Sequence, residues 1–473
     1  MARHNYKIRP APKWEDGNFI PATPIPVQKP PTQWSLIEGL ESIQTLARNA
    51  VEATTLYSMT HMCAFAKSFG IRMWVPADPE IIRHLFVKNA ASLKMQPIRQ
   101  MLLRPVLQDG LITAEGETWK RARHLLAPVF TPRNTDGFAE TMAQSTAGAL
   151  PGLFGNETDI LLSNKMLSLA YTVLSDTLFS GEIEEDTASV LSDIAQLLNL
   201  LGRPNPMDML RFPRWIPRVN RIRGLRAVKR VRKMISDGTD KRMAAKARGE
   251  TLPDDFLTLL INAGDENQAP LTRDEIEDQM LTFIGAGHET TSRAMTWMLY
   301  LLSQDTVRRA KVEAEVDALD TSLPAENWAD HMPYAMACFE ETMRLYPPAP
   351  IISREVTDDI SFKGYDFKPG DAVMINLWSL HRHRQLWEQP DAFVPERFLA
   401  DARGKIDRFQ YLPFGLGHRV CIGQRFALKE AGILIALIMR NYRFDYSGDK
   451  APWPKMRITV QAENFMPMTV SRR

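Results

Sequence analysis

The run FGLGHRVCIG, Phe414 to Gly423, sets three glycines, a histidine and an arginine around one cysteine in a chain that has only three cysteines. Glycines on either side of a loop permit left-handed turns and let the backbone approach something flat or bulky. The stretch that follows, GQRFALKEAGILIALIMRNY, has the apolar spacing of a helix, so Cys421 stands just before a helix start. Free amide N–H groups at that end favour a thiolate, and His418 and Arg419 add positive character. Three readings are open for this thiol: a buried structural cysteine, a nucleophile using His381 or His383 as its base, or a metal ligand.

Outward from this loop, the chain is 473 residues long, 44% hydrophobic and 24% charged, the composition of a globular protein with a large core. A net charge of +2 does not indicate a nucleic-acid partner. Cys63, Cys338 and Cys421 are odd in number and far apart, which argues against a disulfide framework and for a reducing, cytoplasmic setting. No segment offers the roughly 18 or more apolar residues of a membrane helix, so no transmembrane anchor is expected. Helical periodicity dominates, in Thr187–Gly202, in the C-terminal stretch above, and in a run of about 30 residues, RDEIEDQMLTFIGAGHETTSRAMTWMLYLLSQ, long enough to cross the molecule. Strand-like runs are fewer: IRMWVP, ISFKGYDF, DAVMINLW and MRITVQAENFMPMTV. The expected fold class is mainly α with small β-sheets. Residues 1–60, with the proline-rich PATPIPVQKPP and a first helix, are expected to belong to the same unit as residues 61–473. The basic run Arg218 to Arg248 reads as the solvated face of a surface helix, with an acidic partner or membrane as the alternative.

Three further stretches carry candidate chemistry. GAGHETTS interrupts the long apolar helix with small and polar residues. His288–Glu289 is not a zinc-protease motif, because position 292 is Ser where a second histidine is needed. A threonine hydroxyl there can turn back to the carbonyl one turn earlier, leaving room for water and for proton delivery; taken alone, a close helix–helix contact is the simpler account. FEETMRLYPPAP places Glu341 and Arg344 on one helix face, and Arg397 of PERF completes a Glu-Arg-Arg cluster if the fold brings it near. GETWKRARHLLAPVF aligns Trp119 and Arg123 toward a common acceptor. A single thiolate cannot build a structural zinc site, but one is enough as the axial ligand of haem.

In combination these motifs resemble the cytochrome P-450 family. FGLGHRVCIG is similar to its haem-binding signature at Phe414, Gly417, Arg419, Cys421 and Gly423, and AGHETT, ETMR with its proline pair, PERF and the Trp119/Arg123 helix follow the family's order. The resemblance implies the triangular-prism fold with a long helix over a noncovalent haem b. Cys421 would be the iron ligand, and it lies outside any CxxCH attachment motif. Phe414, Gly415 and Gly423 would shape the loop beside the sulfur. Arg419, Trp119 and Arg123 would bind the propionates, with Arg354 and His418 as further candidates. Thr290 and Glu289 would form the alcohol-acid pair that handles dioxygen and protons, with Ala286 over the haem. Glu341, Arg344 and Arg397 would be the structural triad.

The implied activity is a monooxygenase that takes O2 and electrons ultimately from NAD(P)H. The electrons would come through a separate ferredoxin or flavodoxin with its reductase, docking near Lys120, Arg121 and His124, since no flavin or iron-sulfur segment follows the cysteine loop. A soluble, cytoplasmic monomer of the bacterial type is expected. Phe283, Ile284, Ala349, Ile351 and Phe465 match variable pocket positions and imply a hydrophobic small-molecule substrate. A fatty acid or similar lipid comes first, and a terpenoid, steroid or aromatic compound is the alternative. Arg99 or Arg104 could meet a carboxylate. The competing classes are a haem-binding sensor without catalysis and a hydrolase using Cys421.

Overall fold

A computed structural model describes residues 10–29, 36–68, 71–155, 157–182, 189–194, 196, 219–264, 269–456 and 458–473. Its axis is the helix Arg273–Gln304, 32 residues and about 48 Å long. Thr272 opens it with a capping box, its hydroxyl accepting from the Glu275 amide while the Glu275 carboxylate accepts from the Thr272 amide. From Thr291 to Ser303 every residue is buried, so this helix is surrounded by other elements instead of resting on a surface. Leu162–Phe179 packs along one side of it, Val219–Ala247 and Pro333–Leu345 along others, and Gln424–Asn441 lies beyond the cysteine loop. Trp297 stacks on Tyr346 with ring centroids 3.8 Å apart and planes 3° from parallel, joining the central helix to the chain after Pro333–Leu345.

The sheets are small, as expected from the few alternating runs. The largest has five strands in the order Cys63–Ser68, Ile71–Pro76, Ala372–Asn376, Ile351–Val356, Leu93–Met95. It is antiparallel except where Ile71–Pro76 runs parallel to Ala372–Asn376. DAVMINLW is a strand only to Asn376, whose side chain caps a short helix Leu377–Leu380, and ISFKGYDF forms the expected hairpin. MRITVQAENFMPMTV divides into Val460–Ala462 and Pro467–Arg472, which pair with different neighbours. The N-terminal hairpin Lys13–Glu15/Asn18–Ile20 is tied to distant chain: Phe393 N donates to Phe19 O at 2.8 Å, and Arg308 donates to Asn18 Oδ1 at 2.6 Å.

The helix Val219–Ala247 turns out to be a packed surface helix. Val228, Val231 and Ile235 are buried, Arg232 pairs with Asp278 at 2.8 Å, and Arg242 pairs with Asp255 at 2.6 Å and Glu182 at 2.8 Å. Arg218 lies outside the described residues. Of the helix expected at Thr187–Gly202, residues 189–194 are helical and most of the remainder lies outside them. Among the described residues no helix is long and apolar enough to cross a membrane.

Candidate active site

The cysteine loop owes its path to two left-handed glycines, Gly415 at φ +78° and Gly417 at φ +64°. A Cβ on Gly417 would also come within 2.6 Å of the Phe86 carbonyl, so glycine is required there twice over. Gly423 has no such need: its φ is −87°, and a Cβ would make only ordinary contact with Phe130. Cys421 N donates to Phe414 O at 2.8 Å, closing the loop, and the helix Gln424–Asn441 starts three residues later. Cys421 faces a cavity of about 360 Å³ that Phe414, Gly415 and Gly423 also line. Cys421 is exposed to this cavity, yet the protein packed around it desolvates its thiol and pushes it up, against the smaller opposing pull of the Gly423 amide and the Arg123 guanidinium. That direction runs against the thiolate a helix end favours, and a cation at the sulfur would favour it.

One end of the cavity is strongly cationic. Arg123, Arg354 and Arg419 line it, and Arg99, which the sequence suggests only as a contact for a substrate carboxylate, joins them. Arg419 donates to Ala114 O at 2.9 Å and lies over the Trp119 ring at 4.2 Å, while Arg123 donates to Val420 O at 3.3 Å. Burial first, then mutual repulsion with Arg99, lowers Arg354 and Arg419 to about 10 each, with Glu115 opposing. His418 stays exposed outside the cavity wall, its ring edge-to-face with Trp119 at 5.1 Å. Arg104 pairs with Asp109 at 2.9 Å and is not among the lining residues.

To the same cavity the central helix presents Thr282, Phe283, Ala286, Gly287, Thr290, Thr291 and Ala294. This is a stripe of three- and four-residue steps, one face of a helix. Thr290 Oγ1 donates to Ala286 O at 2.9 Å, the back-bonded hydroxyl that the sequence suggested. Gly287 serves a packing purpose as well: a Cβ there would lie 2.9 Å from Leu174 on the helix Leu162–Phe179. Glu289 is off the stripe. Its Oε1 accepts from Thr459 Oγ1 at 2.8 Å and from Arg293 at 3.3 Å, away from the cavity wall. Two expected pocket positions are also displaced. Ile284 is turned into the core, and Phe465, in left-handed backbone at φ +56°, is 47% exposed, whereas Ala349 and Ile351 do line the cavity.

Beneath the loop, Glu341 and Arg344 form a fully buried two-pronged pair at 2.6 and 2.8 Å. Arg344 also donates to the carbonyls of His381, Pro390 and Ala392, and Arg397 reaches Glu341 at 3.6 Å. His381 passes this order on, because its Nε2 accepts from Leu412 N at 3.0 Å, two residues before Phe414. Burial lowers its pKa to about 3, so it stays neutral and keeps that acceptor. With His381 committed in this way and His383 Nδ1 accepting from Gln385 N, neither is placed as a base for Cys421, and neither lines the cavity. Of the basic docking candidates, Lys120 pairs with Glu117 at 2.7 Å, and Arg121 is tied to Glu275 at 3.4 Å and to the carbonyls of Ala269 and Pro270.

The family model for cytochrome P450 matches residues 51–466, which include every part of this site. The chain belongs to the cytochrome P450 family. The cyclooctatin synthase of Streptomyces melanosporofaciens is 29% identical over 404 residues, covering 84% of this chain and 86% of that protein. A cytokinin hydroxylase of Arabidopsis thaliana is also 29% identical, over 85% of this chain and 81% of that protein. Among solved structures, the cytochrome P450DA heme domain superposes with a TM-score of 0.76 at 24% identity, covering 87% of this chain and 90% of that chain. Retinoic acid bound cyanobacterial CYP120A1 gives 0.75 at 23% identity, over 87% and 92%.

As a P450 this chain is a haem-thiolate monooxygenase. Its residues fit that group on their own evidence. Four guanidinium groups crowd one end of the cavity with Glu115 opposing them, an excess of buried positive charge that two propionates would neutralise. One cysteine sulfur faces the same cavity beneath a loop whose glycines leave the space clear.

Proposed function

We propose that this P450 inserts one atom of O2 into a hydrophobic small molecule, with electrons drawn ultimately from NAD(P)H through a separate ferredoxin or flavodoxin and its reductase. The observation that carries this reading is one cavity lined both by Cys421 of the cysteine loop and by Thr290 and Ala286 of the central helix. When bound, haem supplies a thiolate-ligated iron at which dioxygen is reduced. Cys421 would hold it from below and Arg99, Trp119, Arg123, Arg354 and Arg419 at its edge. The Thr290 hydroxyl would hold a water-borne proton above, with Glu289 setting the helix turn through Arg293 and Thr459. Glu341, Arg344 and Arg397 would lock the loop. The extension 1–60 would fold with this unit, which would work as a cytoplasmic monomer.

For the substrate we favour a fatty acid or similar lipid. Phe283, Leu174, Leu178 and Ile351 give the cavity apolar walls, and a neighbour of the same fold holds retinoic acid, an apolar acid. The test is reconstitution with ferredoxin or flavodoxin, reductase and NAD(P)H, following hydroxylated product from candidate lipids. No product from any apolar guest, in protein that carries thiolate-ligated haem, would overturn the reading. In the same assay Thr290→Ala should keep haem and guest binding but lose about tenfold in product per NAD(P)H, less than the ~10²-fold or more that a positioned proton donor contributes because cavity water still carries protons. Fully coupled turnover in that variant contradicts the role.

Lys120 is exposed and would contribute to an acidic donor's docking face. Reduction by the donor should slow several-fold between low and physiological salt, and Lys120→Glu should slow it further. Stopped-flow reduction rates that ignore salt with every donor would exclude this surface.

A further inference from the structure

The segment 389–396, which leads through PERF toward the cysteine loop, is held by two sets of partners. The first is the buried cluster: Arg344 takes the carbonyls of Pro390 and Ala392, and Glu341 Oε1 accepts from Val394 N at 2.8 Å. The second is the N-terminal hairpin Lys13–Glu15/Asn18–Ile20. Asp16 and Gly17, at φ +48° and +74°, are the two left-handed residues of its tight turn, so the hairpin forms from local sequence. Phe19 O accepts from the buried Phe393 N at 2.8 Å, between the two backbone groups that Arg344 and Glu341 take. Asn18 Nδ2 donates to Gln389 Oε1 at 2.7 Å, and Gln389 Nε2 donates to Asp16 Oδ2 at 3.2 Å. Gln389 needs that hold, because its φ of +43° is strained for a residue with a Cβ. Asn18 Oδ1 also accepts from Arg308 at 2.6 Å, and Arg308 reaches Glu396 of PERF at 3.2 Å. Phe19 anchors the hairpin, 2% exposed and edge-to-face with Tyr300 of the central helix.

We propose that this hairpin is the second half of the clamp on the haem loop, with Asn18 and Phe19 as positioning residues for haem retention. This rests on the haem site read above. A hairpin that only covered surface would need no more than the apolar contact of Phe19. Here the Asn18 side chain and the Phe19 carbonyl are both given to the segment 389–396 or to the arginine that reaches it. Without the hairpin the Phe393 amide is buried and unpaired, and Gln389 is free to leave its left-handed turn. The carbonyls of Pro390 and Ala392 then move from Arg344. Arg344 also holds the His381 carbonyl, and His381 Nε2 holds the Leu412 amide, so the disturbance runs to the residues just before Phe414.

The test uses the full, haem-loaded protein. Asn18→Ala should start with the red-shifted reduced carbon monoxide band intact but pass its haem to apomyoglobin about tenfold faster, the effect of one or two hydrogen bonds lost from a locally opening segment. Backbone hydrogen exchange should quicken at 389–397 as well as at 13–20. Phe19→Ala should do both more strongly, and if it does not fold, Asn18→Ala decides alone. Val228→Ala, a truncation on the buried face of Val219–Ala247, is the control for general weakening: at an equal loss of thermal stability it should leave haem transfer near the wild-type rate. Unchanged haem transfer in Asn18→Ala, exchange that quickens at 13–20 but not at 389–397, or equal haem loss in Val228→Ala would overturn the proposal. Neither readout uses a guest, an electron donor or NAD(P)H, so a failure to find any product bears on the proposed function and not on this clamp.

Discussion

Cys421→Ser is expected to abolish the red-shifted reduced carbon monoxide band and to cut product formation by far more than the ~10- to 100-fold that follows loss of a group merely supporting a metal ligand. The expectation follows from the construction of the loop. Cys421 N is fixed to Phe414 O, Gly415 and Gly417 hold left-handed turns, and Cys421 lines the same cavity as Thr290. Serine preserves the backbone and the volume but not the soft thiolate donor. Desolvation pushes the thiol up, and a cation at the sulfur would favour the thiolate. The measurement is the difference spectrum of dithionite-reduced protein with and without carbon monoxide, beside product analysis. A serine variant that keeps the thiolate band would show that another residue binds the iron.

Arg344→Ala should lower stability by about 3–5 kcal/mol, the cost of removing one partner from a buried ion pair, and should yield protein without haem. Glu341 would be left charged at zero exposure, and three carbonyls, of His381, Pro390 and Ala392, would lose their donor. The damage reaches the cysteine loop through His381, whose Nε2 holds the Leu412 amide. Haem content per protein and thermal unfolding read the two effects separately. A stable, haem-loaded Arg344→Ala protein contradicts the linkage.

Much of this site could be read from spacing. Glu341 and Arg344 lie three residues apart on one helix, and Trp119 and Arg123 lie four apart, so each pair had to share a face. The same rule could have corrected two assignments. Phe283, Ala286, Thr290 and Ala294 step along one face, which leaves Ile284 and Glu289 off it, and the structure places both elsewhere. The stripe is completed by Gly287 and Thr291, and Glu289 falls outside it. Phe465 was misplaced for another reason: two consecutive left-handed residues, Phe465 and Met466, turn the ring outward, and nothing in ENFMPM announces that.

Arg99 and Asn18 carried no signal of their own. Arg99 sits in a helix Pro97–Leu107 with exposed and partly buried arginines alike, and only the approach of Arg354 from a strand about 250 residues away makes it part of a cationic cluster. Asn18 looks like an ordinary hairpin residue until Arg308 and Gln389 reach it across 290 and 371 residues of chain. Local sequence determined the cysteine loop, the long helix and the family, because glycine turns, helical period and short-range pairing depend on neighbours in the chain. Tertiary packing alone decided which charges lost water, and therefore which arginines crowd the cavity, because desolvation is set by segments that are distant in sequence.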